Sequence, residues 1–217
     1  AAKDVVIGAF GSTGQRCTAT SRVIIEQEIY EEFIAKMLIF TKDLKIGNGI
    51  DADIDIGPLS SLDQLEKVTE YIGLGVEQGG KILIGGNRLE GEIFDDGFYV
   101  EPTIFVDVDK ENIVAKEEIF GPVLISFKVS DLSEALDITN DVDFGLSSSI
   151  YTKDIKQAYK YINNVDTGMV HVNSPTLGGE VHLPFGGLKS SGVGHREQGE
   201  EGFNFFSELI SVYIDHS

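Results

Sequence analysis

Ser21-Arg-Val-Ile-Ile25 is a β-branched run, and Glu28-Ile-Tyr-Glu-Glu-Phe-Ile-Ala-Lys-Met-Leu-Ile-Phe-Thr-Lys42 follows it with Ile29, Phe33, Met37 and Phe40 at helical spacing. The first reads as a buried strand, the second as an amphipathic helix. A strand answered by a helix is the unit of an α/β fold, and the unit recurs downstream. A helix is expected near Leu62 to Gln78, with strands at Lys81 to Ile84, around Phe98 to Val106 and at Val123 to Lys128. Helix Leu132 to Asn140, strand Ser147 to Tyr151, helix Ile155 to Asn163 and strand Gly168 to Asn173 complete the alternation. The expected class is α/β, with a mostly parallel sheet covered by helices. Upstream, Ala1 to Phe10 reads as a helix already under way with no cap or leader, as though cut from a longer protein.

A length of 217 residues suits one large domain with a small appendage, and 41% apolar residues suffice for a substantial core. No apolar run approaches the ~20 residues of a membrane span, and no basic-then-apolar leader precedes Ala1. A soluble, cytoplasmic protein is expected, with no membrane partner. A single cysteine excludes an intrachain disulfide and a cysteine-rich metal site, which fits a reducing compartment. The net charge of −19 argues against binding a phosphate backbone, so no nucleic-acid partner is expected. The acids are spread along the chain, where they maintain solubility.

Immediately before the first strand lies Phe10-Gly-Ser-Thr-Gly-Gln-Arg-Cys-Thr-Ala-Thr-Ser-Arg22, which holds that one cysteine, Cys17. Inert cysteines usually sit among apolar side chains, whereas Cys17 is flanked by Gln15, Arg16, Thr18 and Thr20. A neighbouring cation such as Arg16, or the N–H groups of a helix start, favours thiolate over thiol, and the thiolate is the nucleophile. The residues alone leave two readings open, a nucleophile and a packing cysteine.

Other apparent motifs lead nowhere. Gly47-Asn-Gly-Ile-Asp-Ala52 has the letters of a dinucleotide fingerprint, but Asp53 to Pro58 cannot open a helix to receive a pyrophosphate, so a loop is expected. Asp51, Asp53 and Asp55 hint at a calcium loop, yet the required glycine falls one position late at Gly57 and Leu62 stands where a glutamate is needed. His171, His182, His195 and His216 show no metal-ligand spacing, and no metal is expected. Gly73, Gly75, Gly79 and Gly80 read as terminating a helix. Glu117 and Glu118 stand where a helix gives way to a buried strand, an edge where α/β sheets hold ligand contacts.

Three separated blocks carry a resemblance. Phe10, Gly14, Gln15, Cys17, Ala19 and Arg22 reproduce the active-site cysteine signature of the aldehyde dehydrogenase superfamily, and Glu117-Glu-Ile-Phe-Gly-Pro-Val123 is similar to its second signature. Pro184-Phe-Gly-Gly-Leu-Lys-Ser-Ser-Gly192, with Gly194, Arg196 and Glu197, resembles its segment near the carboxyl terminus. The resemblance implies that Cys17 attacks an aldehyde, that its backbone N–H helps hold the oxyanion, and that hydride leaves to NAD or NADP before the thioester is hydrolysed. It further implies that Glu118 and Phe120 contact the nicotinamide-side ribose and that Arg16, Thr18 and Phe185 line the substrate pocket. The run Gly14 to Arg22 most resembles dehydrogenases of 2-oxoglutarate semialdehyde, for which Arg16 offers a partner to a distal carboxylate.

The same resemblance implies an upstream cofactor domain, the oxyanion-hole asparagine and the water-activating glutamate of a Glu-Leu-Gly-Gly segment, and no such segment occurs here. Residues 1–189 are then the catalytic domain, 190–206 a segment returning to the cofactor domain, and 207–217 an oligomerisation strand. Glu208-Leu-Ile-Ser-Val-Tyr-Ile214 is β-rich and has no room in the main sheet, and an edge strand of this kind needs a partner. Arg196 and Glu208 match positions linked by a salt bridge near the family's dimer interface, so a homodimer or homotetramer is expected of the parent. Two rival readings are a cysteine hydrolase with a histidine base and a non-catalytic assembly module. The papain-like and caspase-like cysteine contexts are both absent.

Overall fold

The computed structural model describes residues 1–91 and 93–217. Its centre is a four-stranded sheet of β1 (Arg22–Glu26), β4 (Val123–Val129), β3 (Thr103–Val106) and β2 (Lys81–Ile84), in that spatial order. β1 and β3 each run parallel to β4, whereas β2 is an antiparallel edge on β3. β4 is the middle of the sheet, and Val123 to Phe127 are buried without a break, as a strand covered on both faces requires.

Alternation along the strands divides the core. Ile104 and Leu124 face α1 (Ala2–Phe10) and α2 (Tyr30–Lys42), packing with Val6, Phe10, Ile34 and Met37. Phe105, Val123, Ile125 and Phe127 face the other way, onto α3 (Leu62–Glu77) and α4 (Ile113–Lys116). α5 (Leu132–Asn140) adds Ile138 to that second layer, then joins α6 (Ile155–Ile162) over β6 (Ser147–Ile150) and β7 (Met169–Val172).

The expected class is therefore present, with corrections. β6 and β7 pair in parallel but as a sheet of their own, and β5 (Phe144–Gly145) pairs with β8 (Leu188–Lys189) as a third. Residues of β1 and β6 line one groove, and no ladder joins the two strands among the described residues. The strand expected around Phe98 begins only at Thr103, with an isolated Val100 bridge to Arg88 before it.

Two residue-level expectations also shift. α2 turns Tyr30, Ile34, Met37 and Thr41 to the core, while Ile29 becomes its half-exposed N-cap and Phe33 and Phe40 flank the buried stripe. Tyr30 can be buried because its hydroxyl meets Ser126 Oγ at 3.1 Å, and Thr41 because it donates to the Met37 carbonyl at 2.9 Å. Gly73 and Gly75 do not end α3. Gly75 lies inside it, where a Cβ would stand 2.8 Å from Val114 Cγ1, so the glycine permits close packing and Gly79, at φ 94°, follows the true end. The tail, 207–217, is exposed and belongs to no strand among the described residues. Among the described residues no helix is long and apolar enough to cross a membrane.

Candidate active site

The cysteine loop starts where α1 stops. Gly11–Gly14 is a short 3-10 turn in which Ser12, Thr13 and Gly14 take φ of 53°, 59° and 67°, so three successive residues occupy the left-handed region. Such a backbone persists only where its surroundings hold it. Thr13 Oγ1 donates to the Gly57 carbonyl at 3.0 Å, and Gln15 Oε1 accepts from Ser60 N at 2.9 Å. Gly14 lies so close to the next signature that a Cβ there would fall 2.1 Å from the Gly121 carbonyl oxygen.

Beyond Cys17 the loop is pinned from the opposite side. Thr20 N donates to the Gly8 carbonyl of α1 at 3.1 Å, and Ala19 N closes a turn onto the Arg16 carbonyl at 3.0 Å. Thr176 Oγ1 donates to the Thr18 carbonyl at 2.7 Å and sits 3.0 Å from Thr20 Oγ1. Cys17 and Arg16 are exposed at the crest of this anchored loop. Within this chain Cys17 lacks the apolar cover of a packing cysteine. The expected help from a helix start is also absent, because the cysteine follows a left-handed turn rather than opening a helix. Arg22, at the strand start, donates to the Ile138 and Thr139 carbonyls at 2.8 and 3.1 Å, placing a cation at the carboxyl end of α5. Burial lowers its pKa, with Tyr161 and Asp141 opposing that shift.

Cys17 opens onto a groove of about 830 Å³. Arg16, Thr18, Glu118 and Phe120 line the same groove, so four of the expected site residues join the cysteine. Glu118 and Phe120 lie between the end of α4 and the start of β4, the helix-to-strand edge anticipated for them. Phe185 is not among the lining residues. It forms an isolated bridge with Glu197, its N–H reaching the Glu197 carbonyl at 2.7 Å. Arg196 donates to the Gly187 carbonyl, and among the described residues no ion pair joins it to Glu208. None of the four histidines is among the residues lining the groove. His171 is half-buried, and desolvation lowers its pKa.

The anchoring roles of Thr20, Thr176 and Gln15 have no signal in the sequence. Thr176 is 158 residues from Thr18, and a lone threonine in Ser174-Pro-Thr176 carries no signal of such a contact.

With an exposed cysteine on a pinned loop, and a glutamate and a phenylalanine lining the same groove, the chain is a member of the aldehyde dehydrogenase family, whose family model matches residues 1–212. Over 214 residues it is 46% identical to the alpha-ketoglutaric semialdehyde dehydrogenase of Bacillus subtilis, covering 99% of this chain and 44% of that protein. Identity to the 2,5-dioxopentanoate dehydrogenase of Saccharolobus solfataricus is 41% over 214 residues, covering 98% of this chain and 44% of that protein. The betaine aldehyde dehydrogenase of Staphylococcus aureus, solved in complex with NAD+, has a TM-score of 0.91 at 31% identity, covering 94% of this chain and 40% of that one. The chain thus spans less than half the length of these relatives.

Proposed function

We propose that the chain is the cysteine-bearing catalytic part of an NAD(P)-dependent aldehyde dehydrogenase acting on a semialdehyde acid. The observation that carries this is the anchored, exposed Cys17 sharing one groove with Glu118 and Phe120. The Cys17 thiolate adds to the aldehyde carbon, forming a C–S bond and an oxyanion that the Cys17 N–H helps hold. Loss of hydride from that carbon leaves a thioester on Cys17, and water cleaves it to the carboxylate and the free thiol. When bound, the nicotinamide supplies the hydride acceptor. Glu118 offers carboxylate oxygens to ribose hydroxyls, and Phe120 an aromatic face beside them, both lining the groove that Cys17 lines. That donor set fits the cofactor's ribose end.

Arg16, exposed beside the nucleophile, offers a guanidinium to the substrate's distal carboxylate. The relatives acting on 2-oxoglutarate-derived semialdehydes support that substrate class. The base for hydrolysis and the phosphate-binding domain belong to the remaining half of the parent. Residues 190–206 return toward that half, 207–217 pair across subunits, and the assembly is cytoplasmic.

The test is reconstitution. The chain mixed with NAD+ or NADP+ and short aldehydes gives no reduced cofactor above background, because positioning and a placed base, the latter worth ~10²–10⁴ in rate, are missing. Co-expression with a cofactor-domain half restores turnover, and Arg16→Ala then raises KM for acidic aldehydes but not for neutral ones. Robust turnover by the chain alone, or an equal effect of Arg16→Ala on both substrate kinds, overturns the corresponding part of the reading.

A further inference from the structure

One stripe of α3 is turned toward the second signature. Gln64, Lys67, Val68 and Tyr71 recur at i, i+3, i+4 and i+7, and together they touch five consecutive residues, 117 to 121. Gln64 Nε2 donates to the Ile119 carbonyl at 2.9 Å and to the Phe120 carbonyl at 3.0 Å. Lys67 Nζ donates to the Glu118 carbonyl at 2.9 Å, and the Tyr71 hydroxyl donates to the Glu117 carboxylate. Val68 closes the stripe, because a Cβ on Gly121 would stand 2.5 Å from its Cγ2.

The contacts act differently on two adjacent glutamates. Tyr71 takes the carboxylate of Glu117, whereas Lys67 takes only the main chain of Glu118. Among the described residues no hydrogen bond or ion pair occupies the Glu118 carboxylate, and it lines the groove. Phe120 is held in the left-handed region at φ 59°, an arrangement a bulky residue keeps only when its neighbours over-determine it. Gln64 supplies that constraint through the carbonyls on both sides of the Phe120 N–H.

We propose that Gln64, Lys67 and Tyr71 are positioning residues that sort the Glu117–Glu118 pair and preset Glu118 and Phe120 for the cofactor's ribose. This rests on the functional reading above. Were the segment merely a connection, no contact to each successive residue would be needed. The stripe instead fixes the segment before any ligand arrives, which lowers the ordering cost of binding.

Gln64→Met keeps the side chain's length and removes its donors, and Tyr71→Phe serves the same purpose should the first variant fail to fold. In the chain itself, amide exchange at 118–121 should quicken about tenfold, with that at β4 unchanged. Alkylation of Cys17 by iodoacetamide should change less than exchange at 118–121, because the substitution reaches the cysteine loop only through the Gly14–Gly121 contact. In the enzyme reconstituted with its cofactor-domain half, KM for NAD+ should rise about fivefold or more with kcat nearly unchanged, the mark of lost uniform binding. Lys67→Arg should preserve both properties, whereas Lys67→Met should not. Unchanged exchange overturns the clamp. Faster exchange with an unchanged KM for NAD+ overturns the assignment of this segment to the cofactor, and with it the positioning role.

Discussion

Gly14 shows how much of the candidate site hangs on a single backbone position. It combines φ of 67° with an approach to Gly121 that leaves no space for a methyl group, so it joins the cysteine loop directly to the segment holding Glu118 and Phe120. Gly14→Ala is expected to cost about 1–3 kcal/mol from the left-handed conformation, with a further cost from displacing Gly121. Chemical denaturation measures the first effect. Alkylation of Cys17 measures whether the loop has moved, and a variant with unaltered stability and alkylation rate would show that the two signatures are not coupled through this contact. The glycine was legible as part of a signature. Its physical reason was not, because Gly121 is distant in sequence and becomes its neighbour only after folding.

At the scale of elements, strands and helices with strong local patterns were readable: β2 and α5 fall where their residues place them, and Asp131 explains the start of α5. Its Oδ1 accepts from Ser133 N at 2.7 Å and Glu134 N at 3.0 Å, while Glu134 reaches back to Ser130 N at 2.7 Å. The backbone N–H groups of Glu134 and then Ser133 hold the Asp131 pKa below its ordinary value. A depressed carboxylate contributes stability above its unfolded pKa of ~3.9 and loses it as pH falls through the folded value. Asp131→Asn, which keeps an acceptor without the charge, should flatten that part of the acid limb of a Tm-versus-pH curve, while Asp131→Ala should also lower Tm near neutral pH. An unaltered acid limb in both variants would rule out the cap as its source. Less legible was the inward face of α2, because Tyr30 and Thr41 carry hydroxyls and are buried only through Ser126 and the Met37 carbonyl. The division of the sheet was illegible for a similar reason: periodicity identifies β1 and β6 as strands but contains nothing about which strands pair.

The whole molecule ends in a stretch that its own fold does not cover. Leu209, Ile210, Val212, Tyr213 and Ile214 are 104%, 83%, 72%, 94% and 71% exposed, and among the described residues 207–217 forms no ladder with any strand. A run of β-formers with unpaired backbone groups is a template for another strand, and contiguous apolar exposure of this kind marks an interaction surface in soluble proteins. Pairing with a second copy would satisfy both the backbone and the apolar side chains. Arg196 lies on the segment leading to this tail and donates to the Gly187 carbonyl. The reconstituted parent is therefore expected to be a dimer or tetramer by light scattering at micromolar concentration. Removing 207–217 should reduce its mass to that of a monomer, while Cys17 alkylation in the isolated chain should be unchanged, since no described hydrogen bond joins the tail to the cysteine loop. A monomeric parent with its tail intact would contradict the assembly, and a truncated parent that keeps its oligomeric mass would place the interface elsewhere.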